Sequence, residues 1–127
     1  MQRRTLLQTL FIGIGAAMMA RHSQAAERMI LLQESPVAGF QYHRGHDIWP
    51  FLREGERVSL VRESFNGHDH DAVAVYFRND KLGFIPHREN STIAQMLDRG
   101  EKLNAKITRL LDENNPWRRV RISISLG

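Results

Sequence analysis

Apolar and polar residues alternate through much of the chain. Val58, Leu60 and Arg62 fall on one side of residues 56–63, with Ser59 and Val61 on the other, and Val73, Val75 and Phe77 keep step through residues 72–77. A period of two marks a half-buried strand, because successive side chains point to opposite faces. The two runs are therefore expected to pair. Between them, Ser64, Asn66, Gly67, Asp69 and Asp71 are turn formers, and Asn66-Gly67 is expected to supply positive φ. A second tight turn over residues 78–81 leads into a short strand, Leu82-Gly83-Phe84-Ile85, that Pro86 ends. Leu103, Ala105, Ile107 and Arg109 alternate again, and Val120, Ile122, Ile124 and Leu126 share one face of a last strand.

The remaining runs are shorter. Residues 29–33 are apolar, Ser35-Pro36 breaks them, and residues 37–42 are again β-like, so two early strands or one bent strand are expected. Ile48, Phe51 and Leu52 stand at helical spacing, which predicts one helical turn sealing an end of a barrel, with Trp49 and Phe51 in the core. Residues 90–100 carry a helix start at Asn90-Ser91, apolar residues at Ile93, Met96 and Leu97, and a stop at Gly100. The sum is mainly β with minor α, a small antiparallel β-barrel with one or two short helices. No repeat interrupts it.

Residues 1–26 follow a different pattern. Arg3 and Arg4 precede a weakly apolar stretch from Leu6 to Ala20, and Ser23-Gln24-Ala25 provides the small residues a signal peptidase accepts. That order predicts a helical signal segment cleaved after Ala25 or Ala26, and Arg3-Arg4-Thr5-Leu6-Leu7 resembles the twin-arginine variant, although Gln2 precedes the pair. The expectation is an exported protein, periplasmic after cleavage; an uncleaved segment would instead touch the membrane through residues 1–26 alone. Residues 27–127 then form a single domain.

Composition narrows the function classes. The chain has 18 Lys and Arg against 14 Asp and Glu, but Arg3, Arg4 and Arg21 belong to the signal, and without them 15 basic residues face 14 acidic ones. Any positive surface must therefore be local. With no cysteine there is neither disulfide nor thiolate metal site. No Walker-type loop and no hydrolase motif occurs, which points to a binding module rather than an enzyme.

Val37-Ala38-Gly39-Phe40-Gln41-Tyr42, then Leu60-Val61-Arg62-Glu63 with Asn66, Asp69 and Ala72-Val73-Ala74-Val75, then Leu82-Gly83-Phe84-Ile85-Pro86, then the helix of residues 93–100 follow one another as they do in HIRAN domains. The chain resembles that family over residues 30–107 in one unbroken order. The resemblance implies an OB-like barrel that grips the 3′-hydroxyl end of single-stranded DNA, as the domain does in eukaryotic remodelling enzymes. It further implies that Gln41, Tyr42 and His43 lie on a strand meeting the terminal bases, that Asn66 and Asp69 lie near the terminal sugar and phosphate, and that Phe84 occupies another pocket position. Gln41, Tyr42 and His43 replace the family's basic residue and two tyrosines.

The residue types suit that chemistry. Tyr42 and Phe84 offer flat faces for stacking bases, with packing in the core as the alternative. Asp69 can accept the hydrogen bond of a terminal hydroxyl while repelling a terminal phosphate; Asn66 and Asp69 can equally build Asx turns. Arg62, with Arg44, His43, Arg88 and His87, is a candidate phosphate contact. Arg118, Arg119 and Arg121 form a basic strip that is first of all a solvated face. His68, His70 and Asp71 are weak candidates for zinc, but the spacing lacks a third ligand and favours a turn, so no cofactor is expected. The expected partner is a nucleic-acid end. The alternatives are an exported module for a protein or envelope ligand, and a metal-dependent hydrolase of phosphorus-containing anhydrides by family association, whose catalytic parts belong to domains this chain lacks.

Overall fold

The computed structural model describes residues 29–127; the predicted signal falls outside them. Among the described residues no helix is long and apolar enough to cross a membrane.

Six antiparallel strands form one sheet: β1 (Ile30–Pro36), β2 (Arg57–Arg62), β3 (Val73–Phe77), β4 (Asp80–Phe84), β5 (Leu103–Leu110) and β6 (Val120–Leu126), in the order β1-β6-β5-β2-β3-β4. Two short helices join them, α1 (Gly45–Ile48) and α2 (Ser91–Asp98). The first and last strands lie side by side, with Ile30 opposite Leu126. The predicted pairing of the two alternating runs is present, Leu60 facing Val75 and Arg62 facing Val73.

The ladder is that of an open sheet, since β1 and β4 do not pair along their length. One bridge just beyond β1 reaches β4: Ala38 N–H donates to the Phe84 carbonyl at 2.7 Å, and Phe84 N–H donates to the Ala38 carbonyl at 2.8 Å. Gly83 permits that approach. Its φ is +155, and a Cβ there would stand 2.2 Å from the Ala38 oxygen. Only glycine fits such a place without backbone movement.

The inward faces of the strands make the core. Ile107, Ile122 and Ile124 are fully buried, as are Val73, Val75 and Leu82; burying such a side chain stabilises the fold by roughly 1.5–3 kcal/mol. Ile93 and Ala94 of α2 join them, and Gly100, with φ +79, ends that helix's turn as expected.

Two expectations fail in the first half. Residues 40–42 are not strand: Gly39 takes the left-handed φ of +72, and Phe40–Tyr42 forms a 3-10 turn in which Tyr42 N–H donates to the Gly39 carbonyl at 2.9 Å. Phe40 turns inward, edge-on to Trp49 with ring centroids 6.0 Å apart. Phe51, expected in the core, is 67% exposed. Ile48 and Leu52, four residues apart, share the buried face, and Phe51 points off it.

Candidate nucleic-acid interface

The connection from β2 to β3 is built by side chains rather than by glycine. His68 N–H donates to Asn66 Oδ1 at 2.9 Å and Asp71 N–H donates to Asp69 Oδ1 at 2.9 Å, two consecutive Asx turns. Neither Asn66 nor Gly67 adopts positive φ, so that expectation is corrected. The Asn66 and Asp69 side chains close the turns by accepting from the backbone two residues on, with no left-handed residue among them.

Those turns aim Asp69 inward. Asn90 Nδ2–H, from the residue before α2, donates to Asp69 Oδ2 at 2.7 Å, and His87 Nδ1 lies 3.0 Å from the same oxygen. Burial works against the carboxylate's charge, but the His87 imidazole, the Asp71 amide and the Asn90 amide together outweigh it and hold Asp69 below the usual carboxylate range. Asp69 is thus an ionised acceptor at neutral pH. A carboxylate has about four acceptor sites, of which three are engaged, leaving one on Oδ1. His87 is 78% exposed and can swing away to free a second.

Asp69 lies on the wall of a 340 Å³ cleft whose other walls include Ala38, Gly39, Asn66, Phe84, His87 and Trp117. Ala38 and Phe84, joined by the backbone bridge, thus both belong to the cleft wall. Phe84 is half-buried. His43 meets it edge-on with ring centroids 5.5 Å apart, and Lys81 Nζ stands 4.7 Å from its centroid. Lys81 is itself held by Glu63 Oε2 at 2.6 Å, and Glu63 Oε1 accepts from Asn66 Nδ2 at 3.3 Å. Partial burial, helped by the positive charge of Lys81 and opposed by Glu63, lowers the pKa of His43. His43 is accordingly a neutral aromatic support for Phe84 at neutral pH rather than a cation.

Of the residues singled out in the sequence, the cleft gathers Asn66, Asp69, Phe84, His68 and His87. Gln41 and Tyr42 do not line it. Both are exposed on the 3-10 turn, Tyr42 by 80%, so the core reading of Tyr42 is set aside. Arg62 does not line it either. Its guanidinium makes a paired contact with Asp98, Nε to Oδ1 at 2.9 Å and Nη2 to Oδ2 at 3.2 Å, and Nη1 donates to the Ala72 carbonyl at 2.8 Å. Arg44 faces Asp47 and Asp80 at 3.8 and 3.7 Å, and Arg88 is exposed. His70 is exposed and Asp71 half-buried, and among the described residues no group of three or more His, Asp or Glu is arranged to hold a metal ion.

Trp117 was not singled out in the sequence. It is 49% exposed, on a 3-10 turn (Pro116–Arg118) that Asn115 caps by accepting from Trp117 N–H at 3.1 Å. The signal was there: Asn115-Pro116 is a turn start, and an isolated tryptophan after it, among Asn114, Arg118 and Arg119, fits no strand period. Asn90 stands at the expected helix start, but its side chain bonds Asp69 instead of the helix.

The family model of the HIRAN domain matches residues 30–126. A protein from Lactobacillus plantarum whose crystal structure is known shares 28% identity and superposes with a TM-score of 0.68, over 77% of this chain and 94% of that one. The crystal structure of the HIRAN domain of human HLTF shares 19% identity with a TM-score of 0.61, over 77% of this chain and 78% of that one, a likeness of fold. None of the curated proteins matches the chain.

Proposed function

The chain belongs to the HIRAN domain family, and from that premise we propose that it is a non-catalytic module that binds the free 3′ end of a single-stranded nucleic acid in the cleft between Phe84 and Trp117. The observation that carries this reading is an ionised Asp69 set into a cleft walled by two aromatic side chains. A terminal base offers its face to Phe84 or Trp117, and stacking of this kind contributes about 1–3 kcal/mol per base. The terminal hydroxyl donates to the free acceptor site of Asp69. A terminal phosphate, mostly dianionic at neutral pH, is a poor donor and is repelled by the carboxylate, so a preference for a free hydroxyl follows from the lost hydrogen bond and the repulsion together.

The decisive measurement is binding of single strands ending in a 3′-hydroxyl, a 3′-phosphate or a blocked 3′ end. Preference for the free hydroxyl supports the reading, and equal or absent binding sinks it. One sequence observation favours a second reading, an exported module for a protein or envelope ligand: the near balance of 15 basic and 14 acidic residues after residue 25. Loss of all nucleic-acid binding would favour it.

A further inference from the structure

A second groove of 340 Å³ adjoins the first, lined by Arg109, Arg118, Arg121, Glu113, Trp117 and Pro36 among others. Trp117 lines both grooves, and the chain from Pro36 to Gly39 runs from one to the other, Pro36 on the second and Ala38 and Gly39 on the first. Arg109 and Arg121 are direct partners across β5 and β6, where a bulge between Ile107 and Arg109 shifts the register. Like charges placed opposite one another on a sheet are destabilising, and bulges commonly re-aim side chains beside a site.

Among the described residues the carboxylates near this charge hold it only loosely. Arg118 lies 3.5 Å from Glu113 and Arg121 3.5 Å from Glu34, both largely exposed pairs, and among the described residues Arg109 has no carboxylate within 4 Å. Exposed pairs of that length contribute little and give way to a better anion. Arg119, part of the same run in sequence, is not part of the groove. Its guanidinium lies 4.0 Å from the Trp49 centroid and 5.4 Å from that of Phe40, with only 16% of the side chain exposed. These four arginines are therefore sorted, Arg119 into an aromatic niche and the other three onto one groove.

We infer that the Arg109, Arg118 and Arg121 groove carries the phosphodiester backbone of the nucleotides preceding the strand end, with Trp117 as the shared wall past which the strand turns into the first cleft. This rests on the end-binding reading. A strand whose end is in the first cleft must leave it past one of its walls; the Asn66 side continues to Arg62, whose guanidinium is already taken by Asp98, whereas the Trp117 side continues into three guanidinium groups suited to phosphate oxygens.

The test compares the full chain with the Arg109→Gln/Arg121→Gln variant, both exposed positions, using thymidine strands of two and ten nucleotides with free 3′ ends at several salt concentrations. Wild type is expected to bind the longer strand about tenfold or more tighter, and the variant to lose most of that gain. The variant's salt slope should fall by about 1.4, two phosphate contacts at about 0.7 each for a single strand. The dinucleotide should bind both proteins equally. A variant that keeps the length gain, or a wild type that shows none, overturns the inference while leaving end recognition intact. If the gain needs the arginines but blocked 3′ ends bind as well as free ones, the groove stands and the end-binding reading falls. A variant that loses adhesion to anionic phosphatidylglycerol vesicles but keeps the length gain assigns the groove to a lipid surface and overturns the inference.

Discussion

Asn90, with 1% of its surface exposed, donates to Asp69 Oδ2 at 2.7 Å, and this bond ties the start of α2 to the Asx turns of the β2–β3 connection. Replacing Asn90 with Ala removes one donor from a mostly buried carboxylate and leaves nothing in its place. Asn90→Ala is expected to cost about 1–3 kcal/mol, read as a lower urea midpoint with unchanged slope. A loss within experimental error would show that the tie is not structural.

The same carboxylate gives a pH dependence. Asp69 has a folded-state pKa below its ordinary 3.8, so its charge adds stability that is fully present above about pH 3.8 and is lost as pH falls through the folded value. Asp69→Asn should therefore be less stable than wild type at pH 6, and the gap should narrow below pH 3.8 as the wild-type carboxyl takes up its proton. Thermal melts across that range measure it. A gap independent of pH would mean that charge plays no part.

His43 behaves in the opposite chemical sense. Its pKa is lowered by burial and by Lys81, so the unfolded chain takes up a proton more readily below about pH 6.5, and stability falls as pH drops from there towards the folded value. His43→Phe should show a smaller loss of melting temperature between pH 7.5 and 5.5 than wild type. Equal losses would place the acid sensitivity elsewhere.

Among the aromatic residues, Trp117 gives the cleanest binding test because it is half-exposed and outside the sheet. Trp117→Ala is expected to weaken single-strand binding by about 1–3 kcal/mol while moving the melting temperature little. Tyr42→Ala, at a site 80% exposed, should leave stability within about 0.5 kcal/mol and weaken only strands that reach beyond the cleft. Fluorescence anisotropy with parallel melts separates the two. Unchanged affinity on losing Trp117 would remove the tryptophan from the interface.

Gly83→Ala should be severe for its size. The added methyl would meet the Ala38 carbonyl, and overpacking of this kind costs about 1–3 kcal/mol or more. Hydrogen exchange at the Ala38 and Phe84 amides should accelerate along with the loss of stability. Protected amides in a folded variant would show that the bridge tolerates a side chain.

The sheet was largely legible because its strands alternate. Val73, Val75 and Phe77 point inward as their period requires, and Ile107, Ile122 and Ile124 do the same on β5 and β6. The site was legible only where it is local. Asn66 and Asp69 announce a turn by residue type, but their partners Asn90 and His87 come from a distant segment, and no short-range pattern carries that pairing. The strand expected at Gln41-Tyr42-His43 failed because one left-handed glycine, Gly39, outweighs the β preference of the residues after it. Trp117 was missed because a tryptophan in a polar run has no period to read.

The neighbouring of the first and last strands has a consequence of its own. With Ile30 opposite Leu126, the folded unit is entered and left at points about 5 Å apart. Such a unit can be set into a surface loop of a larger host protein without stretching either, and moving the chain ends to another loop would require only a short join between residues 30 and 126. The fold is in that sense a cassette, portable because its doorways adjoin.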